Sequence, residues 1–427
     1  MKLEQLTALL RASGADDWEL TRTLEDGWEF YGIRHALDQH RAKRVETCRV
    51  KVFRKSADGQ YLGSASGEVP PTASEAEAKK LLEDLLLAAS FVRNPAYSLG
   101  GPRAVPAFPP QETDPAQMAR SFLETLDAVA ETATEDINSW ELFVSRQEVR
   151  LLTSRGIDLS AVVPAAMLEA VVNAREPGTD REIELYRMWR SGGCDREGLL
   201  QAFAEAMRFG RDKLRAGKTP ALGRADVVFS TDAARELYGW FIHRMNAAAR
   251  VRGWSDWEIG QPVAEMAGDR ISVRAVPSLP NSPRNMPFDE EGSPVREMEV
   301  LRAGVPVCFH GARMFAQQLG LEDSFIPGNW SVTGGTAGEE TLRAGSYLEV
   351  AEFSDFQVKP MTGDIAGEIR LAYWHDGEKT VPVSGGSVSG SMNDFVKTLR
   401  ASRAQRQFGE LLIPAMTRLQ GVTVTGA

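Results

Sequence analysis

Metal or nucleophilic chemistry in this chain would have to be built from five histidines, three cysteines and a few clustered acids. His243 stands in the stretch Tyr238 to Arg250, whose apolar spacing predicts a helix, and it reads as a packed or capped helix residue. His35 and His40 are five apart, but no Glu follows His35 and the run leaves a predicted strand for a basic turn, so the pair reads as solvated surface. Cys308 and His310 are two apart with no second pair nearby, short of the four ligands a structural zinc wants. His375 precedes Asp376-Gly377 at a predicted hairpin tip and reads as exposed. Asp289-Glu290-Glu291 offers neighbouring carboxylates for acid–base work, yet consecutive acids in a Pro/Gly loop read as a solvated turn. Gly334-Gly335-Thr336-Ala337-Gly338 lacks the Gly-Lys-Ser/Thr ending of a phosphate-cradling loop. Spacing alone gathers no Ser-His-Asp set.

The elements that must position these residues are legible in outline. Leu3, Leu6 and Leu10 mark a short helix over 3–12, and period-2 runs predict strands at 18–24, 29–34, 45–55 and 61–69, with Asp58-Gly59 as a hairpin turn. Ser74 and Glu77 form a capping box ahead of a helix. The proline-rich stretch 94–114 reads as a linker, and Asp114-Pro115 with Gln117 opens the next helix. Strands are predicted at 140–144, 149–153, 159–163, 167–174 and 182–189, then a helix over 196–216. From Gly223 come a strand at 225–229, a helix capped by Ser230 or Thr231 and running to about Arg250, strands near 271–276 and 300–309, and a Gly-punctuated β-rich stretch from Gly345 to Met392. The pattern predicts an α+β fold: N-terminal antiparallel sheets packed with helices and a C-terminal β-rich domain with a long helix. The expected units are 1–110, 111–220 and 221–427.

Bulk properties narrow the function. A net charge of −10 argues against nucleic acid as the main partner, because phosphate binding needs a basic face. No apolar run approaches 20 residues, so no membrane helix is expected. The first residues, Met-Lys-Leu-Glu-Gln-Leu, lack the long apolar core of a signal peptide. Scattered Cys48, Cys194 and Cys308, odd in number, suit free thiols in the cytoplasm.

Wording in the second half is more specific than pattern. Thr362-Gly363-Asp364, Val381-Pro382-Val383, Val388-Ser389-Gly390-Ser391-Met392-Asn393-Asp394-Phe395, Pro414-Ala415-Met416 and Gly421 to Gly426 resemble, in order and spacing, the C-terminal domain of the TldD/PmbA metalloprotease family. Pro287 to Gly292 and Leu301 to Pro306 resemble two further segments of it, and give the acidic run a loop-to-core role. Ser154-Arg155-Gly156 resembles the family's turn in the N-terminal half.

The resemblance implies a site and its loss. Active members carry His-Glu-x-x-x-His on a helix and a downstream Cys; the His and Cys bind zinc and the Glu serves as base. Residues five apart point about 140° from each other on an ideal helix, so the family helix must be locally distorted there. With His243 in the first place, Arg244 stands where the base should be, Ala248 at the second ligand and Ser354 at or near the third. A guanidinium stays protonated at neutral pH and repels a cation. The chain therefore resembles the family's PmbA (TldE)-type subunits: no catalytic or metal-binding residue and no cofactor of its own, with zinc expected on a TldD-type partner. Asn246, Asp355, Thr362, Gly363 and Asp364 are candidate cavity or peptide contacts. The complex is expected to cut unstructured peptides held extended, bacteriocin precursors among them. Two other readings stay open: a homodimeric peptide-binding scaffold, and a peptidase with a rebuilt active site.

Overall fold

The computed structural model describes residues 1–321 and 323–427. Six strands organise the N-terminal half: β1 (Asp17–Ile33), β2 (Ala36–Lys55), β3 (Leu62–Val69), β4 (Glu135–Thr153), β5 (Asp158–Arg175) and β6 (Glu182–Ser191). They form one antiparallel sheet in the order β3-β2-β1-β4-β5-β6. The stretches 1–110 and 111–220 thus share a sheet, because β1 pairs with β2 on one edge and with β4 on the other.

The strands are longer than periodicity predicts. β1 runs unbroken through Leu24 to Glu29, and β4 and β5 each fuse two predicted strands. The turn of the β1–β2 hairpin is at Arg34-His35, and His40 lies inside β2 opposite Phe30. Only Cys48–Lys55 of β2 is covered by β3, so its outer edge over 36–47 has no partner strand among the described residues.

One face of the sheet carries the helices. Register sets Leu20 opposite Val50 and Leu152, so their side chains share a face. Against it pack α1 (Leu3–Ala12) and α2 (Glu75–Phe91), through Leu6, Leu10, Leu82 and Leu85. Further along, α3 (Pro115–Asp127) and α4 (Arg196–Leu214) cover Leu142, Val144, Leu168 and Val172 with Phe122, Leu126 and Phe203. Ser74 and Glu77 cap α2 reciprocally. Asp114 caps α3 by accepting from the Ala116 amide, and its own amide, which a capping box would give to Gln117, donates to Glu112 at 2.8 Å.

The opposite face meets the second half. Glu19 and Leu151 point that way, and Phe288 packs on Leu151 and Ile157. The acidic turn is therefore no solvated loop. Asp289 is 7% exposed and accepts from the amides of Glu291, Ser293 and Ile326 at 3.0, 2.7 and 2.8 Å.

The second half begins with β7 (Gly217–Lys218), β8 (Gly223–Phe229), α5 (Ala234–Arg244) and α6 (Ala247–Val251), then β9 (Ser272–Val276), β10 (Met298–Arg302), β11 (Val305–Pro306), α7 (Arg313–Gln318), β12 (Asn329–Thr333) and α8 (Glu339–Leu342). It continues with β13 (Tyr347–Val358), β14 (Asp364–His375), β15 (Thr380–Ser384), β16 (Ser387–Ser391), α9 (Met392–Phe395), β17 (Arg400–Ala401), β18 (Gln405–Phe408), β19 (Leu411–Pro414) and β20 (Thr417–Thr425). One sheet has the order β11-β10-β9-β12-β19-β18 and the other β13-β8-β20-β16-β14-β15-β7. Because β13 also pairs with β14, five strands of the second sheet close on themselves. Phe229, Trp240, Phe241, Trp330 and Leu348 lie in the core between these layers.

Candidate functional site

The helix predicted to run from Ser230 to Arg250 is interrupted. α5 buries Leu237, Tyr238, Trp240, Phe241 and Arg244, a spacing of three and four that turns one face to the core. It ends at Met245, and Asn246 adopts φ −78° and ψ 130°, an extended conformation no helix interior tolerates. Asn246 then accepts from the Ala248 amide at 2.8 Å and caps α6. The break falls between positions 243 and 248.

A loop from far along the chain fills the break. The His310 amide donates to the Met245 carbonyl at 3.1 Å, and the Ala247 amide donates to the His310 carbonyl at 2.7 Å. The His310 ring, 5% exposed, sets Nε2 at 3.0 Å from the Ile242 carbonyl. A carbonyl only accepts, so Nε2 carries the proton and Nδ1 is left without a partner. Burial, together with the neighbouring His243, pushes this imidazole down to about 4 against the pull of the carbonyl. It is a neutral structural plug, and Cys308 contributes no metal-binding partner to it.

Arg244 is held by a cage. It is 7% exposed. Nη1 donates to the carbonyls of Trp254 and Met361 at 2.7 and 3.2 Å, and Nη2 pairs with Asp256. The guanidinium carbon lies 5.7 Å from the Trp240 ring and 5.5 Å from the Trp257 ring. Burial lowers its pKa and Asp256 opposes this, so the side chain remains a cation. His243 stacks on Trp254, ring centres 6.4 Å apart. Burial and the Arg244 charge both lower its pKa.

Of the remaining predicted positions, the turn at Thr362 adjoins Met361, whose carbonyl accepts from Arg244, whereas Ser354 and Asp355 are engaged elsewhere. Ser354 is exposed on β13, and its hydroxyl accepts from Arg370 at 2.7 Å. Two residues before it, Glu352 pairs with Arg187 of β6. Asp355 is exposed beside Gln357. Thr362, Gly363 and Asp364 form the β13–β14 turn, with the Thr362 hydroxyl donating to Asp364 at 2.7 Å and Asn393 donating to the Thr362 carbonyl at 2.8 Å. Gly363 has φ +76°, and a β-carbon there would lie 3.1 Å from Nε1 of the buried Trp240. Gly363→Ala is expected to destabilise the chain by about 1–2 kcal/mol, read as a lower urea midpoint.

A divalent ion does not fit these residues. The groups round position 244 are a caged guanidinium, an alanine and an imidazole with one ring nitrogen buried. Among the described residues no three His, Cys, Asp or Glu side chains converge as metal ligands. Sequence reasoning missed the cage itself. Its acceptors are two backbone carbonyls and Asp256, and the one outward sign is the Gly253-Trp254-Ser255-Asp256-Trp257 run just past the helix.

Comparison with known proteins agrees with the architecture. Residues 222–426 match the PmbA/TldA metallopeptidase C-terminal domain. Metalloprotease PmbA of Escherichia coli O157:H7 is 24% identical over 204 residues, 45% of each chain. The Metalloprotease PmbA homolog of Haemophilus influenzae is 23% identical over 279 residues, 62% of this chain and 58% of that one. The alignments thus span about half the length of these curated relatives. The structure of TldE from Thermococcus kodakarensis superposes with a TM-score of 0.76 at 15% identity, covering 99% of this chain and all of that one. Residues 222–426 thus belong to the PmbA/TldA metallopeptidase C-terminal domain family, and the whole chain shares the fold of the TldE structure.

Proposed function

We propose that this chain is a non-catalytic subunit of a cytoplasmic TldD/TldE-like peptidase, shaping a chamber for unstructured peptides and supporting a zinc-bearing partner. The observation that supports this reading is the Arg244 cage, a permanent cation at the position where the sequence resemblance expects the base of active members. Apolar surface beside it suits contact with a partner or an extended peptide: Met361 is 51% exposed and Trp254 37%. Asn246, Thr362 and Asp364 border the same region.

Co-expression with a TldD-type chain bearing His-Glu-x-x-x-His tests the proposal. The two are expected to co-purify, and peptide cleavage by the pair is expected to exceed that of the partner alone and to stop on chelation. Failure to co-purify, with the partner's activity unchanged, refutes it. Chelator-sensitive cleavage by this chain alone would instead support a rebuilt active site.

A further inference from the structure

A half-open cleft of about 450 Å³ lies where α4 meets the C-terminal half. Among the described residues its floor offers no free cation, because Arg343 is shared between Glu349 and Glu339. Glu349, 13% exposed, accepts from Arg343 Nε and Nη2 at 2.8 and 2.7 Å and from the Ser230 hydroxyl at 2.6 Å. The rim is different. Arg208 on α4 and Arg406 on β18 both lean toward one carboxylate, Glu205, at 3.6 and 3.7 Å. Those separations exceed hydrogen bonding, so neither fork of donors is spent on it.

Both guanidiniums are nevertheless held in place. That of Arg208 lies 4.7 Å from the Phe209 ring and 5.9 Å from the Tyr373 ring, and that of Arg406 lies 5.0 Å from the Phe408 ring. The Tyr373 hydroxyl donates to Asp212 at 2.6 Å, which fixes the ring under Arg208. Two pre-placed cations sharing one loosely held anion leave the rim positive, with most of its N–H groups unused.

The chemistry selects the ligand. Planar guanidinium forks match a carboxylate. A doubly charged phosphate would be repelled by Glu205 and Glu339, both in the lining. Half-buried Tyr373 and Ala415 offer apolar surface for the rest of the molecule. We propose that this cleft binds a monocarboxylate with an apolar or aromatic body, anchored by Arg208 and Arg406, with Glu205 as the internal anion that it displaces. The source is a free small acid or the C-terminal end of a peptide, which present the same group. The inference does not rest on the subunit reading, because the cleft uses none of the residues around Arg244.

Calorimetric titration of the full chain tests it, using N-acetyl-L-phenylalanine, its amide, inorganic phosphate, and the tripeptide Ala-Ala-Phe with free and amidated ends. The free acids are expected to bind about tenfold or more tighter than their amides and tighter than phosphate. Arg208→Gln and Arg406→Gln are each expected to weaken them about tenfold. Glu205→Gln is expected to tighten binding severalfold, a gain that a damaged fold cannot produce. Tighter binding of the tripeptide acid than of N-acetylphenylalanine assigns the site to peptide ends, and equal binding to small acids. Equal affinity for acid and amide, no acid binding up to about 10 mM, or weaker binding in Glu205→Gln would each overturn the proposal.

Discussion

Arg244→Glu is expected to destabilise the chain by roughly 3–5 kcal/mol and to recruit no zinc. The substitution installs the residue type that the sequence resemblance expects of active members at this position. The surroundings are nevertheless built for a cation: two carbonyl oxygens, one carboxylate and two indole faces converge on the side chain. A buried carboxylate would confront all of them with its own negative charge. The ion pair itself contributes little of this, since Asp256 is 86% exposed and screened by water. The carbonyls and the rings carry the effect. Adding Ala248→His and Ser354→Cys is expected to change nothing further, because Arg370 of β14 holds the Ser354 hydroxyl and no set of metal ligands converges among the described residues. Urea denaturation with elemental analysis checks both parts. Stoichiometric zinc at undiminished stability would falsify the cage argument.

The second large effect is a pH dependence with two opposing parts. Glu19 projects from β1 between Lys51, at 3.7 Å, and the Glu290–Glu291 turn. Burial, reinforced by those acids against the pull of Lys51, raises it to about 7 from an ordinary 4.5. The folded chain therefore holds this proton more tightly than the unfolded one. Stability from this group is full below pH 4.5 and is lost as pH rises through 7. His310 acts the other way. Its pKa falls from 6.5 to about 4 on folding, so its share of stability is present above pH 6.5 and lost as pH falls through 4. Each shift corresponds to roughly 3 kcal/mol, and between pH 4.5 and 6.5 the two compensate. Glu19→Gln is expected to stabilise the chain by roughly 2–3 kcal/mol at pH 8 and by almost nothing at pH 4.5. It should also uncover the acid sensitivity due to His310. Denaturant midpoints at the two pH values decide it. An equal gain at both would mean that Glu19 is already ionised without penalty.

These features divide cleanly by what a sequence can display. Local signals translate directly: the Ser74–Glu77 box, the Asp58-Gly59 turn and the Asp376-Gly377 turn depend on residues within a few positions of each other. The long hairpins were harder to see. Beyond the helices, β1 from Thr21 to Glu25 is half-exposed throughout, so the in–out alternation that marks a strand fades although the ladder continues. The break after α5 has Asn246 as its local mark, but the group that fills it, His310, arrives from 64 positions downstream. The acidic turn misled for a related reason. Three consecutive acids suggest water, but Asp289 is satisfied by backbone amides, which leave no trace in composition.

The closed set of strands in the second half also sets an order of events during synthesis. β8, its earliest member, lies between β13 and β20, and its Phe229 pairs with Thr417. A nascent chain must hold Val227 and Phe229 without their final neighbour while nearly two hundred further residues are translated. Closure is then a late event, slow in the way long-range strand pairing is slow. Until the last strand emerges, that apolar segment needs shelter from the ribosome surface, a chaperone or the finished N-terminal sheet.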